Sequence, residues 1–253
     1  MDLNKAFSNS FSSFSGPSGI LLPETSYIVS QDIAKDYDYT TTSVFRITPT
    51  LARGRSEGEA YYYMDEIFLD QRQLSYTDLS TYTRELQLAL DILGQSVLIV
   101  DETGVGNAVF DIYSQAGLDP FGIVFTGGEN ANTRRRKELT SSKFGFLSGC
   151  NVPKKDLVSS LQVLMEQGRI RRAPGLKYQD EVEMQYRNFI GRINENHYVK
   201  YGNSEDTIHD DIIVAHAMAA WYFLHMKGLG SPKLPKAKMR SSYRTDPFES
   251  WDR

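Results

Sequence analysis

Four aspartates and a histidine occupy positions from which side chains do chemistry. Asp32 ends the stretch Y-I-V-S-Q-D, Asp101 directly follows the wholly apolar V-L-I-V, and Asp210 and Asp211 open a long apolar run just after His209. Strand ends beside a parallel sheet are where sites form in open α/β folds. A carboxylate directly after V-L-I-V sits at a sheet edge or pays a heavy desolvation cost. If the strands ending in Asp32 and Asp101 are neighbours, their carboxylates lie side by side, and a helix packed across that end adds Asp210 and Asp211. Carboxylates so close repel one another, which raises their pKa values unless a cation compensates. The natural occupants are Mg²⁺ or Mn²⁺, hard ions that prefer oxygen ligands. Two such ions about 4 Å apart activate water and stabilise the leaving oxygen in phosphodiester hydrolysis. Each acid also has an ordinary reading: Asp32 as a strand-end residue, Asp101 as the start of a turn, Asp210 as a helix N-cap.

The elements that must position these acids are legible from periodicity. Tyr27–Ile33 reads as a strand, Asp36–Asp38 as a turn, and the β-branched run Thr40–Thr48 as the next strand. Pro49–Gly58 reads as a polar loop and Glu59–Leu69 as a third, tyrosine-rich strand, giving an antiparallel meander. Leu79, Tyr82, Leu86, Leu90 and Leu93 then recur at helical spacing, ended by Gly94. Val97–Val100 is a short strand of the kind buried on both faces. A glycine turn, Gly104–Gly106, a helix to about Ala116 and the strand Phe121–Phe125 complete a parallel unit. Val152–Gln167 reads as a helix with Pro153 in its first turn, Gly175–Ile190 as another, and Arg192–Tyr201 as a short strand or hairpin arm. The last helix runs from Asp210 to His225, its opening acids complementing the helix dipole.

Composition sets the class. The chain has 253 residues, 40% of them hydrophobic, enough for a sizeable core. One cysteine, Cys150, excludes an internal disulfide and a cysteine-built zinc cluster, and four histidines leave metal binding mainly to carboxylates. No run approaches 18 apolar residues, so no membrane span is expected. The glycines of D-E-T-G-V-G-N lack the three-glycine dinucleotide fingerprint, and no phosphate-binding G-x-x-x-x-G-K-[ST] loop is present, which argues against a nucleotide-dependent oxidoreductase or ATPase. The net charge is -4, but residues 134–172 carry ten Lys or Arg against three acids, a net +7. Such a basic stretch on an acidic protein points to a localised polyanion surface. The candidate phosphate contacts are Arg134, Arg135, Arg136, Lys137, Lys154, Lys155, Arg169, Arg171 and Arg172. Residues 1–24 read as a loose arm or linker remnant, 25–226 as the folded domain and 227–253 as a basic tail.

Four segments together carry a family likeness: Q-D-I-A…D-Y-T-T at 31–41, V-L-I-V-D-E-T-G-V-G at 97–106, K-K-D-L-V-S-S-L-Q-V-L-M-E-Q-G-R-I at 154–170 and H-D-D-I-I-V-A-H-A-M-A at 209–219. The chain resembles, over roughly residues 25–226, the C-terminal nuclease domain of the large terminase subunit of tailed bacteriophages, part of the DNA-packaging motor. The resemblance implies an RNase H-like α/β fold, a mixed five-stranded sheet with helices on both faces. It implies a two-metal endonuclease, using Mg²⁺ or Mn²⁺, that cuts concatemeric double-stranded viral DNA. By motif position the first two catalytic carboxylates fall on Asp32 and Asp101. The last falls on Asp211, with Asp210 as a neighbouring ligand and His209 near the scissile phosphate or steering a carboxylate. It also implies an ATPase domain on the same full-length polypeptide, the portal protein and the small terminase subunit as partners, and action in the cytoplasm of the infected host rather than in the mature virion. Two departures stand out. Lys35-Asp36-Tyr37-Asp38 replaces the usual glycine-containing loop, which leaves the role of Asp38 open, and Glu102 adds an acid beside Asp101. The alternatives are a junction resolvase or RNA–DNA hybrid nuclease on the same fold, and a non-catalytic docking domain of the motor.

Overall fold

The computed structural model describes residues 26–34, 39–51, 60–103, 106–127, 131–134, 149–193, 199–203 and 209–225. The arm, the tail, the turn at 36–38, Gly104 and the basic residues 135–137 lie outside the described residues.

The meander forms as expected, with β1 (Ser26–Asp32) shifted by one residue and β2 (Thr40–Leu51) and β3 (Ala60–Arg72) longer; the three pair antiparallel. Helix α1 (Tyr76–Asp91) follows, its first turn capped by the Ser75 hydroxyl, which accepts from the Asp78 N–H at 3.2 Å. Strand β4 (Gln95–Asp101), helix α2 (Gly106–Gln115) and strand β5 (Phe121–Thr126) make the parallel unit, with β4 parallel to β1 and β5 parallel to β4. Then come β6 (Asn132–Arg134), β7 (Gly149–Pro153), helix α3 (Lys154–Glu166), β8 (Ile170–Arg172), helix α4 (Gln179–Asn188), the hairpin β9 (Phe189–Ile193) and β10 (Val199–Asn203), and helix α5 (Asp211–His225).

The main sheet has the order β6-β7-β5-β4-β1-β2-β3-β8. The five expected strands form its unbroken middle, β5-β4-β1-β2-β3, and three short strands extend it to eight. Those three went unforeseen because they are only three to five residues long, and β7, G-C-N-V-P, carries Gly, Asn and Pro rather than a β-branched run. Its pairing with β5 makes it a strand, and Pro153 consequently ends β7 instead of lying inside the following helix.

Side-chain alternation sends the two faces of the sheet to two cores. Ile28 and Ile99 join Leu157, Leu161, Ala217 and Met218 under α3 and α5. Val29, Leu98 and Val100 join Leu79, Leu86, Val109 and Tyr113 under α1 and α2. Helix α5 is apolar nearly all round, as a helix laid across a sheet and covered by neighbours must be, and it packs on β1, β2 and β4 as well as on α3.

Candidate active site

The same alternation aims the acids. Ile28 and Ser30 of β1 face α5, so Asp32 does too; Val97 and Ile99 of β4 face that side, so Asp101 does too. Gln31 pairs with Val100 in the parallel register, which sets Asp32 level with Asp101 on the adjacent strand end. Asp211 is the first residue of α5 and Asp210 the one before it. Lys154 is the first residue of α3, which packs against α5. Two strand ends and two helix N-termini therefore meet, and a helix N-terminus favours a carboxylate.

The electrostatics report this convergence. Burial pushes the Asp32 carboxyl well above the ordinary aspartate range, Asp101, Asp211 and Asp210 push it further, and Lys154 opposes them. Burial also raises Asp101, while its bonds to Thr103 and the charge of Lys154 pull the other way. Asp101 does begin a turn: its Oδ1 accepts from the Thr103 N–H at 2.7 Å, and the Thr103 hydroxyl accepts from the Phe125 N–H at 2.8 Å. Asp210 occupies the N-cap position by its backbone, accepting from the Val214 N–H at 2.9 Å, but its side chain leaves the helix to take the Lys154 ammonium at 3.1 Å. His209 is exposed beside it. Among the described residues, no three His, Cys, Asp or Glu side chains are drawn into one ligand set. The donor chemistry nevertheless suits a hard divalent cation: among the described residues four carboxylates converge beside the Lys154 ammonium, and their repulsion adds to burial in raising Asp32.

Glu102 turns to β5, although its charge still helps to raise Asp101. It is 7% exposed, and its carboxylate lies over Gly122 of β5; a Cβ there would meet that carboxylate and would come within 2.8 Å of Phe110. Glycine at 122 leaves the room that Glu102 takes.

A pH dependence follows from Asp32. Between its unfolded pKa and its raised folded one, the native state keeps a proton that the unfolded chain has lost, so apo stability falls as pH rises through that interval. A cation held at Asp32 would displace the same proton, and stabilisation by Mn²⁺ would then grow with pH. Melting curves of the parent and Asp32→Asn across pH, with and without Mn²⁺, check this: the parent's extra slope should vanish in the variant.

The described arginines of the basic stretch are divided between the two edges of the sheet. Strands β6 and β8, at its two ends, are opposite edges of the sheet, roughly 30 Å apart at normal strand spacing. Arg134 closes β6 on one edge. On the other, Arg169 is fully buried, its Nε donating to the Tyr62 carbonyl at 2.8 Å and its guanidinium 5.0 Å from the Phe223 ring centroid, so it cannot meet a phosphate. Arg171 and Arg172 are engaged by Asp65 at 2.6 Å and Glu66 at 2.5 Å. Lys155 is exposed on α3, whereas Lys154 belongs to the acid site.

Sequence reasoning also passed over a buried polar chain between β3 and α5. Glu66 Oε1 lies 2.9 Å from His216 Nε2, and His216 Nδ1 lies 2.7 Å from the Tyr186 hydroxyl. His216 carries a signal in hindsight, the one polar residue in the run I-I-V-A-H-A-M-A-A at 212–220.

The fold has solved counterparts. The large terminase nuclease from thermophilic phage G20c superposes with a TM-score of 0.50 at 18% identity, covering 85% of this chain and 96% of that one. Structures of the same nuclease with bound magnesium (TM-score 0.51, 17% identity) and bound cobalt (0.51, 18%) each cover 85% of this chain and 95% of theirs. At these identities the likeness establishes the fold, the RNase H-like fold of the terminase nuclease domains. No protein-family model matches the sequence, and no curated protein matches it at a significant level.

Proposed function

We propose that the chain is a metal-dependent endonuclease that cuts double-stranded DNA, and that its role is to cleave concatemeric viral DNA during genome packaging. The observation that carries this reading is the meeting of Asp32, Asp101, Asp210 and Asp211 at the ends of β1 and β4, on a fold shared with a phage nuclease solved with magnesium and with cobalt. Asp32 and Asp101 would hold the cations, with Asp211 the third carboxylate and Asp210 its neighbour. Two bound Mg²⁺ or Mn²⁺ ions supply an activated water and stabilise charge on the leaving oxygen. The Lys154 ammonium balances one carboxylate and stands ready to receive the charge of an incoming phosphodiester. His209, exposed beside Asp210, would touch the scissile phosphate or steer a carboxylate. Duplex contacts come from Arg134–Lys137 and Lys155 through the backbone, favouring affinity over sequence choice. In this reading the domain works with an ATPase domain of the same polypeptide, the portal protein and the small terminase subunit, in the cytoplasm of the infected bacterium.

The test is plasmid cleavage. Supercoiled DNA should be nicked and linearised with Mg²⁺ or Mn²⁺, while Ca²⁺, larger and less strict in geometry, should support binding without cutting. Cleavage that persists in excess EDTA would rule out the metal mechanism. A preference for four-way junctions or RNA–DNA hybrids over linear duplex would move the function to the resolvase or hybrid-nuclease alternative.

A further inference from the structure

Ser30 lies in the middle of the molecule, 0% exposed, where an apolar residue would pack as well. Its hydroxyl donates to the backbone carbonyl of Ala215, also 0% exposed, at 2.7 Å. That bond joins the two elements that carry the acids. Ser30 is two residues before Asp32 on the same face of β1, about 7 Å along the strand. Ala215 is four residues after Asp211, about 6 Å along the helix. The tie therefore sits one step below the carboxylate on each element, at nearly equal distances. The next residue, His216, is bound to Glu66 of β3, so α5 is held to two strands at consecutive positions. On the opposite face Gln31 is fixed by three hydroxyls: it donates to Thr42 at 3.1 Å and Thr83 at 2.9 Å and accepts from Tyr113 at 2.9 Å. The strand end is thus immobilised from behind while Ser30 sets its distance to the helix.

We propose that Ser30 is a positioning residue: its hydrogen bond to Ala215 sets the separation of Asp32 from Asp211. It thereby governs the affinity of the acid site for divalent cations and the rate of cleavage, an inference that rests on the nuclease reading. A helix carbonyl already bonded within its helix gains little stability from a second donor, so the hydroxyl's main effect is geometric. A misplacement on the order of 1 Å can slow a reaction about a hundredfold.

The test compares the parent with Ser30→Ala in three measurements: the apo crystal structure, Mn²⁺ affinity by calorimetry, and cleavage at saturating Mn²⁺. Expected are a folded variant melting within a few degrees of the parent, a start of α5 displaced from the end of β1, Mn²⁺ affinity about tenfold weaker and saturated cleavage at least tenfold slower. An unmoved α5 together with parental Mn²⁺ affinity would overturn the proposal. A merely structural hydroxyl would lower the melting temperature and leave the affinity of the folded fraction unchanged, which also overturns it. Should Ser30→Ala fail to fold, Ser30→Cys, a slightly larger side chain with a much weaker donor, carries the same comparison. A parent that binds no Mn²⁺ refutes the nuclease reading instead, and the apo structures then decide the Ser30 tie by themselves: a displaced α5 upholds it and an unmoved one removes it.

Discussion

Replacing Asp32, Asp101 or Asp211 by Ala is expected to lower DNA cleavage by about a hundredfold or more while leaving a folded protein, because a misplaced cation no longer stabilises the transition state. The stability half of this expectation separates a site from a scaffold. Asp32 is held above the ordinary aspartate range by burial and by three neighbouring carboxylates, so its native ionisation opposes folding. Removing it relieves repulsion, and the apo melting temperature should stay level or rise. Asp101→Ala forfeits the bond from the Thr103 N–H, worth about 1 kcal/mol, so its apo stability should be slightly lower than that of Asp32→Ala. In each variant Mn²⁺ should stabilise less than in the parent, since a ligand stabilises through its binding to the folded state. Melting curves with and without Mn²⁺, beside plasmid cleavage, read both halves. Near-parental cleavage by Asp211→Ala alone would move the third role to Asp210, whose side chain already meets Lys154.

The second large effect is on stability. His216→Ala should cost about 3 kcal/mol, because it opens a cavity under α5 and removes the 2.9 Å partner of buried Glu66, which keeps Arg172 and a long 3.4 Å contact from the Ser43 hydroxyl. The Tyr186 hydroxyl loses its partner as well. At about 2–4 °C per kcal/mol for a domain of this size, the melting temperature should fall by roughly 10 °C. Glu66 adds a pH signature. Burial pulls its pKa up, but His216 and Arg172 outweigh burial and hold it below the usual glutamate range. A depressed carboxylate stabilises the fold above its unfolded pKa, and that stability is lost as pH falls through the folded one. Without His216 the depression shrinks, so acid unfolding should begin at a higher pH. Acid titration followed by circular dichroism checks the order. Unchanged melting and an unchanged acid midpoint would show that the chain from Glu66 to Tyr186 does not hold α5.

The acids were readable in the sequence because local rules govern them. An apolar run ends where a carboxylate appears, as at Asp101 after V-L-I-V, and strict alternation decides which face a strand-end carboxylate takes, for Asp101 and for Asp32 after Y-I-V-S-Q alike. The meander and parallel unit follow from equally local patterns. What escaped depends on partners far along the chain. Arg169 is buried because Tyr62, 107 residues earlier, offers a carbonyl and Phe223 a ring, and nothing near residue 169 announces either. Counting charge over 134–172 treated sequence neighbours as spatial ones, whereas α3 carries the chain from one edge of the sheet towards the other. Lys154 was visible only as one more base until the packing of α3 on α5 brought it to Asp210. Strands β6, β7 and β8 owe their existence to pairing partners rather than to β-propensity.

The most direct test of the proposed nuclease site is anomalous diffraction from crystals of the protein soaked in Mn²⁺. Manganese peaks in contact with the carboxylates of Asp32 and Asp101, and with Asp211 or Asp210, are the expected result, with Lys154 released from Asp210 or still beside it. A well-ordered site at these four residues with no manganese peak, in crystals soaked to millimolar Mn²⁺, would contradict it.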